Sequence, residues 1–259
     1  MLTFIIVFLL LIFIYIHMLF HWNVSNEIDI PHIATPNKDI LEQVADSKQP
    51  FLFEKDLTQV SDLAMTGHEK DVQITKPDNT TLYVPHKGML NAIKKEPYIS
   101  NKNYNFVDVV LMKETPVSSL DQYLAPPMTM FKTKDIIYGN HGVATKLNRS
   151  ANYRNYFVCL NGTVEIKLLP PRCEDHLTNT NIDLWNPTDN DTETIKECDV
   201  INITLSQGSI IHIPAFWWYT FKFKEQGCLL SMSYTTYMNA ISQIPNKISS
   251  YIKIKKIEF

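Results

Sequence analysis

Histidine and cysteine are the residues here best suited to chemistry, and their spacing limits what they can do. The chain has 8 His and 4 Cys, but no HExxH, no CxxC and no GxSxG elbow, so neither a zinc-site spacing nor a hydrolase nucleophile turn is present. His141 and His212 lie near the most strand-like segments. A lone strand histidine is more often a hydrogen-bonded structural residue than a ligand. His68, His86 and His176 fall in segments expected to be loops, with no ligand-like spacing. Cys159 with a distant His is too common a coincidence to read as a nucleophile pair. The even cysteine count leaves two readings open. Cys173 and Cys198 bracket a polar insertion and would staple its base in an oxidising compartment. Alternatively all four are reduced thiols, with two packed in strands.

Composition removes other chemistries. With 7 Gly and no GxGxxG or GxxxxGK[ST], there is no glycine-rich phosphate loop. The net charge of −3 gives no electrostatic case for nucleic acid. At 45% hydrophobic and 20% charged the chain is globular in composition.

The elements that must position these residues are mostly strands. Gln207-Gly-Ser-Ile-Ile-His-Ile-Pro-Ala-Phe-Trp-Trp-Tyr219 packs one apolar run against an aromatic cluster, whose plain reading is core packing. Asn155–Leu160 and Thr163–Leu169 flank Asn161-Gly162, a strong two-residue hairpin signal, and Val164, Ile166 and Leu168 alternate onto one face. Residues 200–205, 210–213, 219–224 and 229–234 continue the run of short strands. Strands are also expected at 49–54, 107–112 and 144–147, a hairpin over 71–84 around Pro77-Asp-Asn79, and helices over 37–46 and 117–123.

Leu2 to Phe20 is almost continuously apolar and, as a helix, spans about 28 Å, close to a bilayer core. No basic start or small-x-small cleavage site is present, so residues 1–22 are expected to be an uncleaved transmembrane signal anchor, with membrane contact through residues 2–20. Flanking Lys and Arg are absent, so orientation rests on Glu27 and Asp29 beyond the helix. They favour an N-terminus in the cytosol and a lumenal or extracellular domain, the type II arrangement. Six N-x-[ST] sequons, at Asn23, Asn79, Asn148, Asn161, Asn190 and Asn202, agree with that side. Residues 23–35 are expected to be a juxtamembrane linker, 36–238 the folded domain with a loop insertion at 172–199, and 239–259 a basic amphipathic helix. That last helix packs on the domain or meets an anionic membrane surface or a partner.

Two linked blocks resemble a known family: Asn155–Pro171, with its "N, apolar strand, G-x-K-like turn, apolar strand, P-P" order, and Gly208–Tyr219 with its Trp pair. Their order and separation are similar to those of the JmjC/cupin-like domains. The Ile-Pro-x-Ile, helix and x-Pro strand before them is similar to the entry of those domains. The resemblance implies an all-β core, a jelly-roll double-stranded β-helix with a few flanking helices, here with an N-terminal transmembrane helix.

What the resemblance implies for the site is a loss. Active members hold Fe(II) with His-x-Asp before the first block and a His after the Trp pair, leaving room for 2-oxoglutarate and O₂. Those positions match Asn148, Ser150 and Tyr219, or Arg149 and Ala151 for the first two if the register slips by one, and the cosubstrate lysine matches Val164. No catalytic residue, metal ligand or cofactor is therefore expected. Tyr219 is expected to fill the vacated cavity and reach Asn148 or Ser150. The implied protein is a membrane-anchored pseudoenzyme in the secretory pathway or a virion membrane, with a binding or structural role and an unnamed protein partner. A homodimer is also open, since related domains often dimerise. Two alternatives stand beside it: an Fe(II)/2-oxoglutarate hydroxylase with a rearranged site, for which His141 and His212 are the relocation candidates, and a small-molecule or glycan binder.

Overall fold

A computed structural model describes residues 1–76, 80–92, 97–112, 115–177, 182–196 and 198–245. In chain order the elements are α1 (Leu2–Trp22), β1 (His32–Ile33), α2 (Lys38–Asp46), β2 (Phe51–Glu54), α3 (Thr58–Met65), β3 (Asp71–Thr75) and β4 (Thr81–Pro85). Then come α4 (His86–Ala92), β5 (Ile99–Ser100), α5 (Tyr104–Phe106), α6 (Thr115–Leu124), β6 (Thr129–Gly139) and β7 (Asn148–Arg149). Next are β8 (Arg154–Asn161), β9 (Val164–Leu169), α7 (Glu174–Leu177), α8 (Asp189–Ile195) and β10 (Ile201–Leu205). Finally there are β11 (Ser209–Pro214), β12 (Trp218–Phe223), β13 (Gly227–Thr236) and α9 (Tyr237–Ser242).

Two sheets result, one ordered β1-β2-β11-β8-β13-β6-β5-β3-β4 and the other β10-β9-β12-β7. From β8 onward the chain passes repeatedly from one sheet to the other, as a jelly roll does. The β8–β9 crossing is made at Asn161-Gly162, where Gly162 has φ +80° and a Cβ would meet the Gln226 carbonyl oxygen at 2.9 Å. Only glycine fits that turn without strain.

Alternation then sorts the side chains. Phe157, Ile211, Ile213 and Leu229 of the large sheet face Val164, Ile166, Leu168, Tyr219, Phe221 and Phe223 of the small one, filling the interior. The opposite face of the large sheet, with Tyr156, Val158, Ile210 and Tyr234, is covered by the helices, which contribute Leu41, Val60, Leu111 and Leu120. The register follows the period of 2: Ile211 and Ile213 point inward, and His212 points out under the helices.

Several expectations need correction. The run 107–112 is not a strand. Val107–Leu111 forms a π-helical turn, and Val107 and Leu111, four apart, are both buried. Helical spacing outweighs β-branched propensity there. At 144–147 there is a single bridge from Ala144 to Lys222, and pairing proper starts at Asn148. The 172–199 insertion carries a 3-10 turn at Pro171–Cys173, then α7 and α8. The α8 start is fixed by a capping box between Thr188 and Asp191. Leu177, Ile182 and Leu184 build a third apolar cluster against Leu169 and Trp218, so the insertion is a layer on the outer face of the small sheet.

Residues 23–35 are docked rather than free. β1 pairs with β2 in parallel, Val24 and Ile30 pack on the interior cluster, and Arg172 N–H donates to Asn26 Oδ1 at 2.9 Å. The hairpin at 71–84 forms as β3 and β4, with its turn at 77–79 outside the described residues. The C-terminal helix is described only as α9, and 246–259 lie outside the described residues.

The α1 helix carries no Asp, Glu, Lys or Arg, and most of its surface is exposed on all sides. It is long and apolar enough to cross a membrane.

Candidate functional site

The Trp pair is divided by a corner. After β11, Phe216 turns the chain at φ 68°, a left-handed conformation costing a side chain about 1–2 kcal/mol. The turn is held by Phe216 N–H donating to the Ser150 carbonyl at 2.7 Å. Trp217 consequently points inward, fully buried, and donates its indole N–H to the Ser25 carbonyl at 3.2 Å. Trp218 points outward, beneath the insertion.

The corner lines up β12 with β7, pairing Tyr219 with Asn148 and Trp218 with Arg149. Tyr219 is buried, its ring 5.1 Å from Phe157 and 5.5 Å from Phe221. Its hydroxyl meets Asn148 Nδ2 at 3.4 Å, a long hydrogen bond. Burial pushes its pKa up to about 12, which disfavours the phenolate.

Ser150 is engaged elsewhere. Its hydroxyl donates to Asn155 Oδ1 at 2.8 Å. Asn155, itself fully buried, also accepts from Ser233 Oγ at 2.9 Å and donates to the Ile213 carbonyl at 3.1 Å. This knot ties β7, β8, β11 and β13 together. Val164 pairs with Phe223, four residues along β12 from Tyr219, or about 13 Å at strand rise. The structure therefore brings Asn148 and Tyr219 together, commits Ser150, just past β7, to Asn155, and leaves Val164 apart.

Arg149, the slipped-register alternative, points the other way. Its guanidinium pairs with Glu174 of α7, Nη2 to Oε2 at 2.8 Å, and lies over the rings of Phe216 at 5.1 Å and Trp218 at 5.4 Å. Ala151 contributes its carbonyl, which accepts from Asn239 and Gln243.

The histidines are also placed. His212 stacks on Phe51 with centroids 4.6 Å apart and lies 5.0 Å from Tyr156, on the helix-covered face. Burial lowers its pKa to about 3. His141 is exposed and bonds the Lys224 carbonyl. His86 begins α4 rather than a loop and is fully buried against Phe106 and Tyr138. His176 lies in α7. Among the described residues no group of three or more His, Cys, Asp or Glu is placed to share a metal ion. All four cysteines are free, buried thiols. Cys173 is hydrogen-bonded to Cys198, and burial, with that bond second, raises its pKa to about 12.

Three features of the site escaped sequence reasoning. Trp185 covers the outer face of the small sheet, donating to Thr220 Oγ1 at 3.0 Å beneath the Lys167 ammonium at 4.6 Å. Glu174 pairs with Arg149 across the insertion. Lys48, at φ 55°, reaches back to the end of α1, donating to the carbonyls of Phe20 and, at 2.8 Å, Asn23. Each is a long-range contact with no local pattern to announce it.

A model of the cupin-like domain family matches residues 53–239. No curated protein matches the chain.

Proposed function

The chain belongs to the cupin-like domain family, and from that premise we propose that it is a membrane-anchored member that has given up iron chemistry and works as a binding or scaffolding protein. The observation that carries the reading is the pairing of Tyr219, buried in the apolar interior, with Asn148 on the exposed edge strand β7. A carboxamide, a hydroxyl and a phenol held neutral do not fit Fe(II), which favours imidazole and carboxylate. The surroundings reinforce the misfit: Ser150 is committed to Asn155 and Val164 offers no cation for a 2-oxoglutarate carboxylate.

Anchoring by α1 is supported by its length and by the absence of charge along it. With α1 in a bilayer, the domain faces the lumen or the cell exterior, where exposed sequons such as Asn202 on β10 meet the glycosylation machinery.

Iron content and 2-oxoglutarate turnover of the full chain in detergent test the chemical half. Less than stoichiometric iron and no turnover are expected. One iron per chain with turnover establishes the hydroxylase with a rearranged site instead. Glycosidase sensitivity tests the topology, and a pull-down with α1 intact identifies the partner.

A further inference from the structure

We infer that an apolar rim formed by Met128, Met130, Phe131, Tyr237 and Ile244 seats in the interfacial layer of the bilayer that α1 crosses, an inference that rests on the membrane-anchored reading above. These are large apolar side chains left in the open: Met128 is 74% exposed, Phe131 57%, Tyr237 51% and Ile244 48%. They are neighbours. Phe131 pairs with Thr235 and Thr129 with Thr236, and the Tyr237 N–H donates to the Met128 carbonyl at 3.4 Å. β5 meets β6 only at Tyr138 and Gly139, so no described strand covers the outer edge of β6 at this end. A cluster of this kind on a folded surface marks a contact site.

The rim continues the surface of α1. The last turn of α1 packs on α9, the helix that Tyr237 begins and Ile244 follows, and the Trp22 indole donates to the Ser242 carbonyl at 3.2 Å. Lys48 fixes the same turn from the other side, its ammonium 3.6 Å over the Phe20 ring. With α1 clamped in this way, α9 and the start of β6 lie at the level where the helix leaves the hydrocarbon. Trp22, 39% exposed, and Tyr237 are the residue types that occupy that level. The nearest described cations on β6 are engaged, since Lys132 and Lys134 both pair with Asp121, at 3.0 and 3.3 Å. The seat is therefore apolar rather than a headgroup-phosphate site, and neutral lipid suffices for it.

The test uses the full chain in phosphatidylcholine vesicles with and without brominated acyl chains, which quench nearby indoles. Phe131→Trp reports on the rim and Tyr83→Trp, on β4 at the far edge of the sheet, is the control. The expected result is bromine-dependent loss of the added emission for Phe131→Trp and none for Tyr83→Trp. Equal emission from both in a chain that resists alkaline extraction overturns the rim and leaves the anchor standing. Alkaline extraction of the chain from the vesicles overturns both. A rim residue unquenched by lipid, in a dimer that Phe131→Asp dissociates, also overturns the proposal and assigns the surface to a second copy.

Discussion

The indole of Trp217 donates to the Ser25 carbonyl at 3.2 Å, across 192 residues of sequence. The strand that carries Tyr219 is thereby tied to the segment that leaves α1, so the β11–β12 corner and the apolar N-terminal helix share one support. Trp217→Phe keeps an aromatic ring but leaves a small void and orphans the carbonyl, at about 1–3 kcal/mol. Trp217→Ala opens a cavity and costs about 3–5 kcal/mol. Limited proteolysis is expected to cut at 23–30 faster in Trp217→Phe than in the wild type. Unchanged cleavage there removes the coupling.

Tyr219→Phe deletes only the long contact to Asn148, so the expected change in stability is below about 1 kcal/mol by denaturant unfolding. Iron content is expected to stay unchanged. A marked loss of bound iron in Tyr219→Phe contradicts the non-catalytic reading directly.

Acid weakens the fold through buried histidines. His212, held neutral by burial and by Arg154 nearby, has a folded pKa of about 3 against 6.5 when unfolded. His86 is lowered to about 4, by burial first and by His68 second. Between those values the unfolded chain binds more protons, so stability falls as pH drops from 6.5 toward the folded pKa, by about 1.4 kcal/mol per pH unit for each group. Denaturant midpoints measured from pH 7 to 4.5 are expected to fall. His212→Leu is expected to make that fall shallower while keeping the fold at pH 7.

Arg154 is almost fully buried and pairs with Glu42 at 2.7 Å and Asp46 at 3.4 Å, both more exposed than it is. Removing the acids strands a buried cation, whereas removing Arg154 leaves acids that water can reach. The Glu42→Gln, Asp46→Asn double variant is expected to lose about 3 kcal/mol or more, and Arg154→Met to lose less. The opposite ranking in urea unfolding rejects this account.

Much of the small sheet and its partners was readable from the chain. Asn161-Gly162 announced the β8–β9 turn, although the two strands enter different sheets instead of pairing as the expected hairpin, and the alternation of Val164, Ile166 and Leu168 set the inward face. The partner of Tyr219 was legible only to within one residue, since the spacing left Asn148 or Arg149 open; the β7–β12 pairing puts Asn148 opposite Tyr219. β6 was missed because its first half, Thr-Met-Phe-Lys-Thr-Lys, is exposed at a sheet edge and so shows no apolar alternation. The π-helical turn at Val107–Leu111 was misread because a short β-branched run fits both periods until its packing is known. Lys48, Trp185 and Glu174 act over long sequence distances, where no local periodicity operates.

The grip of Lys48 on the last carbonyls of α1 has a consequence for how this protein meets others. Burial lowers the Lys48 pKa to about 8, so the clamp is still largely charged at neutral pH. A head on a flexible tether sweeps a hemisphere and samples partners in every orientation. A head bolted to its stalk meets them only by lateral diffusion, always presenting the same side. With α1 in a bilayer as proposed, any recognition by this protein becomes a two-dimensional search among molecules in the same membrane.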